Sequence, residues 1–169
     1  MKITEQLVKE VENEIKPIFE KIDRTCSNNS KKVLQAFQEC HLQEAHLNSS
    51  TGYGIDEPGR NKIEEIYSKI FKAEDSLVRT QLISGTHALA ITLFALLRPN
   101  EKMLSITGEP YDTLQTVIGI GNEKSKSSLK SFNIEYEQID LLNNDFDTNK
   151  IKERLAKNDI KLVEIQRSR

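Results

Sequence analysis

Five consecutive residues, Ser84-Gly85-Thr86-His87-Ala88, join a short apolar run to a longer one. If a helix opens there, its first amides point outward with no intrahelical acceptor. Together with the helix dipole and the Thr86 hydroxyl, those amides suit a phosphate dianion. Gly85 would let the backbone approach such a ligand closely. The same residues also read as an ordinary helix start, with Ser84 as the cap and Gly85 easing a turn. His87 is then either a ligand contact or a solvated or hydrogen-bonded surface group.

A second segment, Thr107-Gly108-Glu109-Pro110-Tyr111-Asp112-Thr113, also follows an apolar run. Tyr111 is placed to lie over a flat ligand whose phosphate sits in the Gly85 turn, where ring stacking adds roughly 0.5–1.5 kcal/mol. Alternatively, Pro110 and Tyr111 start a helix and pack its end. A third segment runs from Gly52-Tyr53-Gly54 to Gly59-Arg60. Arg60 offers a planar fork for phosphate oxygens and Tyr53 a phenol donor, although arginines beside loops are commonly solvated. His41 and His46 have no acidic or cysteine partner at a metal-ligand spacing and read as structural or solvent-facing.

The elements that would carry these residues follow from periodicity. Leu7, Val8, Val11, Ile15, Ile18, Phe19 and Ile22 make one helical stripe, and Asn28 to Cys40 carries a second, shorter helical pattern. Three glycines and Pro58 mark 49–59 as a loop, with Pro58 opening the next helix. From Asp75 onward short apolar runs alternate with helical patterns. Strands are expected at Ser76–Thr80, Lys102–Ile106, Ile134–Ile139 and Leu162–Ile165. Helices are expected at Gly85–Leu97, Tyr111–Ile118 and Thr148–Ala156, with a polar connection over Gly121–Lys130. This alternation predicts an α/β fold with a mostly parallel sheet flanked by helices. The Gly85–Leu97 helix is apolar nearly all round, which predicts deep burial.

Composition narrows the class. Hydrophobic residues make up 37 % of the chain and charged residues 30 %, with a net charge of −2 and both signs interspersed. No basic patch points to nucleic acid and no polybasic helix to a membrane surface. The longest apolar run, Ala88–Leu97, is far short of the roughly 20 residues of a membrane span. A cytoplasmic protein with buried or half-buried thiols at Cys26 and Cys40, rather than a disulfide or a metal site, is expected. No glycine-rich dinucleotide or Walker-type pattern is present.

Taken together, the motifs resemble one family. The Gly52-Tyr53-Gly54 loop is followed by Gly59-Arg60, and then Val78-Arg79 leads into Ser84-Gly85-Thr86-His87-Ala88. Arg98-Pro99, Gly108-Glu109-Pro110-Tyr111-Asp112-Thr113-Leu114, Val117-Ile118-Gly119 and Ile165-Gln166-Arg167-Ser168-Arg169 come after. This order is similar to the methionine γ-lyase-like, or aluminium-resistance, proteins, which belong to the fold type I pyridoxal-phosphate (PLP) enzymes. The resemblance implies an N-terminal helical arm over 1–50 and an incomplete PLP-binding large domain over 51–169. It implies carbon–sulfur lyase chemistry on sulfur-containing amino acids, PLP as cofactor, and a homodimer or homotetramer of the intact protein.

Position by position, Gly85 and Thr86 match the turn that holds the cofactor phosphate. Tyr111 matches the tyrosine that stacks on the pyridine ring and serves as an acid at the leaving group. Tyr53 and Arg60 correspond to phosphate contacts that reach across from a neighbouring subunit, but the related lyases place the two residues two apart and here they are seven apart. The family's Schiff-base lysine and ring aspartate come from strands far downstream of the glycine turn. The lysines after Gly85, at 102, 124, 126, 130, 150, 152, 157 and 161, all precede that late position. The reading is therefore an N-terminal fragment, inactive alone, with exposed sheet edges and marginal stability. The competing reading is a non-catalytic module that binds a phosphorylated ligand or a full-length subunit.

Overall fold

The computed structural model describes residues 2–121 and 125–167, with side chains from residue 4 onward. Lys124, the end of the motif at Ser168-Arg169, and the middle of the Gly121–Lys130 connection lie outside the described residues. The chain forms two compact units, Met1–Arg79 and Thr80–Arg169. Contacts thus group the glycine loop with the N-terminal helix, whereas the sequence reading draws its arm at 1–50.

In the first unit, α1 runs continuously over Lys2–Glu39. The two expected helices are one, because no glycine interrupts Asp23–Ser30 and Pro17 sits within the helix rather than ending it. A short 3₁₀ turn at Glu44–Leu47 leads to α2, Pro58–Phe71, which has its proline in the first turn as expected. Ala36 and Cys40 of α1 pack on Ile66 of α2, with Leu42 and Ile70 at the margin.

The expected strand at Ser76–Thr80 does not form. Its backbone is tied to α2 instead: the Val78 amide donates to Glu64 Oε1 at 2.9 Å and the Ser76 hydroxyl to the Glu64 carbonyl at 2.7 Å. Arg79 also pairs with the Glu64 carboxylate. A strand needs a ladder partner for its amides, and none of the described strands pairs with this segment.

The second unit is an α/β layer structure. It comprises α3 (Gly85–Leu96), β1 (Lys102–Ser105), α4 (Asp112–Ile118), β2 (Glu135–Gln138), α5 (Thr148–Leu155) and β3 (Leu162–Glu164). The strands are all parallel, in the order β2-β1-β3, with Met103 opposite Tyr136 on one side and Leu162 on the other. Steps from β1 to β2 and from β2 to β3 move in opposite directions across the sheet, so right-handed crossovers place α4 and α5 on opposite faces. Side-chain alternation agrees. Met103 packs with Leu93 and Leu97 near α3, Leu114 and Ile118 of α4, and Leu129 and Ile134. On the other face, Arg154 of α5 reaches Glu137 of β2.

The expected deep burial of α3 is corrected. Only Leu93 within the helix is buried, whereas Leu89, Ile91 and Leu96 are exposed. The sheet covers one side of a helix, and the three described strands offer no second surface to the other. Both outer edges of the sheet lack a ladder partner among the described residues, which matches the exposure expected from the sequence.

Candidate functional site

The carboxyl end of β1 organises the site. Beyond it the chain is pinned from both neighbouring strands. Gly108 donates to the Ile139 carbonyl at 2.9 Å, Ile106 to the Glu164 carbonyl at 3.1 Å, and the Gln166 amide to Thr107 Oγ1 at 3.0 Å. Gly108 has φ +81°, a left-handed value that glycine tolerates, and its carbonyl accepts the buried Ser105 hydroxyl at 2.7 Å. This tight turn delivers Tyr111 to the start of α4. There the Tyr111 amide donates to Gln166 Oε1 at 2.9 Å, while its side chain stays half exposed.

The α3 start lies beside it. Ser84 caps the helix, its Oγ accepting the His87 amide at 3.1 Å. The Gly85 and Thr86 amides, in the first turn, have no intrahelical acceptor. The Thr86 and Thr113 hydroxyls meet at 2.8 Å, which brings the α3 turn against the first turn of α4, two residues past Tyr111. The Gly85-Thr86 turn and the helix start that carries Tyr111, two separate motifs in the sequence, therefore adjoin. Thr113 and Gln166 were missed as positioning groups. Nothing in local periodicity marks them, since each acts through a residue at least 27 positions away.

Gly85 has no steric reason within the chain to be glycine. Its φ is not left-handed, and a Cβ built on it would meet no heavy atom within 4 Å. His87 is half-buried, and its Nδ1 is buried with no partner among the described residues.

Tyr53 and Arg60 belong to the first unit. Tyr53 is exposed. Arg60 turns onto its own loop, donating to the Gly54 carbonyl at 3.3 Å and pairing with the buried Glu57 at 3.2 Å, with Nε buried and unpartnered. His46 is structural: its Nδ1 accepts the Gln43 amide at 2.9 Å. Both cysteines are free thiols, but Cys26 is exposed rather than half-buried. Among the described residues no group of three metal-ligating side chains occurs, and no helix is long and apolar enough to cross a membrane.

At the amino end of the sheet, away from this site, sits a charge cluster. Lys102 pairs with Glu135 at 2.9 Å, Glu137 at 2.8 Å and Asp159 at 3.3 Å, and Arg154 grips Glu137 and Asp159. Hydrogen bonds to Glu137 and Glu135 push the Lys102 ammonium above its ordinary range, so it stays protonated. It lacks the depressed basicity of a reactive amine.

A parallel sheet flanked by helices, with two helix starts gathered beyond the carboxyl end of its first strand, defines an α/β domain of the kind that binds ligands at that end of the sheet. The methionine gamma-lyase family model matches residues 4–169. The carbon-sulfur lyase involved in aluminum resistance from Clostridium novyi NT is 41 % identical. It superposes with a TM-score of 0.91 over 100 % of this chain and 41 % of its own. A structure from Clostridium acetobutylicum is 39 % identical with a TM-score of 0.90 over 100 % of this chain and 40 % of its own. Protein YnbB of Bacillus subtilis (strain 168) is 44 % identical over 132 residues, which is 78 % of this chain and 31 % of YnbB. The chain belongs to the methionine gamma-lyase family of PLP-dependent enzymes, homologous to carbon–sulfur lyases, and spans about two fifths of the length of the solved relatives.

The residues present fit the phosphate end of PLP. Two outward amides and the Thr86–Thr113 hydroxyl pair stand at a helix start whose glycine borders open space, with no steric cause in the chain for its missing side chain.

Proposed function

We propose that this chain forms the phosphate-binding side of a PLP-dependent carbon–sulfur lyase that acts on sulfur-containing amino acids as a homo-oligomer. The observation that carries the reading is Gly85: a glycine with no steric cause, at a helix start whose free amides adjoin the Thr86–Thr113 hydroxyl pair. When bound, PLP supplies an electron sink for the carbanion left by removal of the substrate's α-proton. The chain's own residues do the holding. The Gly85 and Thr86 amides and the Thr86 hydroxyl bind the phosphate oxygens. The Tyr111 ring would stack on the cofactor, and its phenol would supply a proton to the departing sulfur. Tyr53 and Arg60 add phosphate contacts to a neighbouring subunit, for which Arg60 would exchange its present Gly54 carbonyl contact.

The test compares binding of PLP and of phosphate-free pyridoxal by the full chain and by Gly85→Val, using fluorescence titration. PLP should bind at least tenfold tighter than pyridoxal, and Gly85→Val should abolish the difference while circular dichroism stays unchanged. Equal affinity for the two ligands in the parent chain would remove the phosphate reading. Thiol release from cystathionine by a polypeptide of the relatives' full length then tests the substrate class. PLP binding without any thiol release would favour a non-catalytic module.

A further inference from the structure

At 2.8 Å the Thr86 and Thr113 hydroxyls share one hydrogen bond, and its geometry allows either to be the donor. A threonine inside a helix can spend its hydroxyl on the carbonyl four residues back, as Thr92 does on Ala88 at 2.8 Å. Thr86 and Thr113 lie in first turns, so the residues four back, Leu82 and Glu109, fall outside the helices. Each hydroxyl carries one hydrogen and two lone pairs. One shared bond therefore leaves the pair one hydrogen to give, with no taker among the described residues.

Charge around the pair decides which oxygen keeps that hydrogen. The first turn of α4 already holds an anion, since Asp112 lies there and its Oδ1 accepts the Thr113 amide at 2.6 Å. The first turn of α3 holds no acidic residue, and its leading amides have no intrahelical acceptor. A phosphate dianion is therefore drawn to the Thr86 side of the pair and repelled on the Asp112 side. A dianion only accepts hydrogen bonds, so the spare hydrogen has to reach it from Thr86. Thr86 has a single hydrogen and can give it to phosphate only when Thr113 donates the bond between the two threonines.

We infer that Thr113 is a positioning residue for the cofactor phosphate: its hydroxyl donates to Thr86 Oγ1 and so commits the Thr86 hydrogen to the phosphate oxygens. The inference rests on the α3 start being the phosphate site and adds what Thr86 needs in order to serve it. Without Thr113 the Thr86 hydroxyl turns freely and divides its hydrogen between ligand and water. With Thr113 in place the donated bond also polarises the Thr86 O–H and strengthens its bond to the anion. Phosphate-free pyridoxal brings no anion to this turn, so Thr113 matters little to its binding.

Fluorescence titration of the full chain with PLP and with pyridoxal tests this in the parent, Thr86→Val, Thr113→Val, the double variant and Thr113→Ser. Valine keeps the shape of threonine without its hydroxyl, and serine keeps the hydroxyl. Thr113 is exposed, so the fold should survive each change, as circular dichroism would report. Thr113→Val should weaken PLP binding roughly three- to tenfold and leave pyridoxal within about twofold, while Thr113→Ser restores most of the loss. With Thr86 already valine, Thr113→Val should cost less than about twofold more, because the hydroxyl it acts through is gone. Equal losses for both ligands would reduce Thr113 to packing and overturn the inference. So would losses that multiply in the double variant, which would mean that Thr113 meets the phosphate by itself, and so would a serine variant as weak as the valine one. A parent that prefers PLP while Thr113→Val changes nothing sinks this inference alone. A parent that binds PLP no better than pyridoxal removes the phosphate site, and this inference with it.

Discussion

The Tyr111 amide donates to Gln166 Oε1 at 2.9 Å, joining the start of α4 to the segment after β3 across 55 residues. The Gln166 amide in turn donates to Thr107 Oγ1 at 3.0 Å. One side chain and one backbone group of the same residue therefore fix both ends of the turn that presents Tyr111.

Gln166→Ala should loosen that turn without unfolding the sheet. One hydrogen bond of this kind contributes about 0.5–1.5 kcal/mol, so PLP affinity should fall roughly 2–10-fold. Gln166→Glu keeps the acceptor oxygen and should restore most of the loss. Fluorescence titration of both variants checks this; equal loss in both would show that the Tyr111 contact does not position the ring.

Two glycines make opposite predictions. Alanine in place of a helical glycine ordinarily stabilises by about 0.4–1 kcal/mol, and Gly85→Ala should do so or be neutral, because its Cβ meets open space. At Gly59 the added Cβ would run into the His46 carbonyl oxygen, a backbone atom that cannot swing aside. Gly59→Ala should instead destabilise by about 1–3 kcal/mol. Urea titration of the two variants reads the sign.

Met103 is fully buried between both neighbouring strands and the α3–α4 layer. Met103→Ala should cost about 2–5 kcal/mol by leaving a cavity. Met103→Leu conserves volume and should cost less than about 1.5 kcal/mol. Denaturant midpoints at constant slope distinguish a packing loss from a change in the unfolded state.

The charge cluster at the amino end of the sheet predicts an acid dependence. Hydrogen bonds from Arg154, then Lys102, hold the Glu137 carboxyl down at about 2 from an ordinary 4.5, and Asp159 is lowered chiefly by Arg154 from 3.8. Both carboxylates therefore add stability that is complete above their ordinary values and is lost as pH falls, through about 2 in the case of Glu137. Arg154→Met should move the acid-unfolding midpoint to higher pH. The difference should shrink in high salt, because much of the cluster is solvent-exposed. Far-ultraviolet circular dichroism between pH 1 and 6 measures both effects.

Sequence alone determined the order of elements from Gly85 onward, the parallel sheet, the opening of α2 at Pro58 and the placement of Gly85 and Tyr111 beyond apolar runs. These are matters of local periodicity and turn chemistry, encoded within a few residues. Tertiary structure alone decided that α1 is one helix, that Ser76–Thr80 binds Glu64 rather than a strand, and that α3 is covered on one side only. It also decided that Thr86 meets Thr113 and that Gln166 holds Tyr111. Each of these depends on which distant group satisfies an amide, a hydroxyl or an apolar face, and residue spacing along the chain carries no record of that choice.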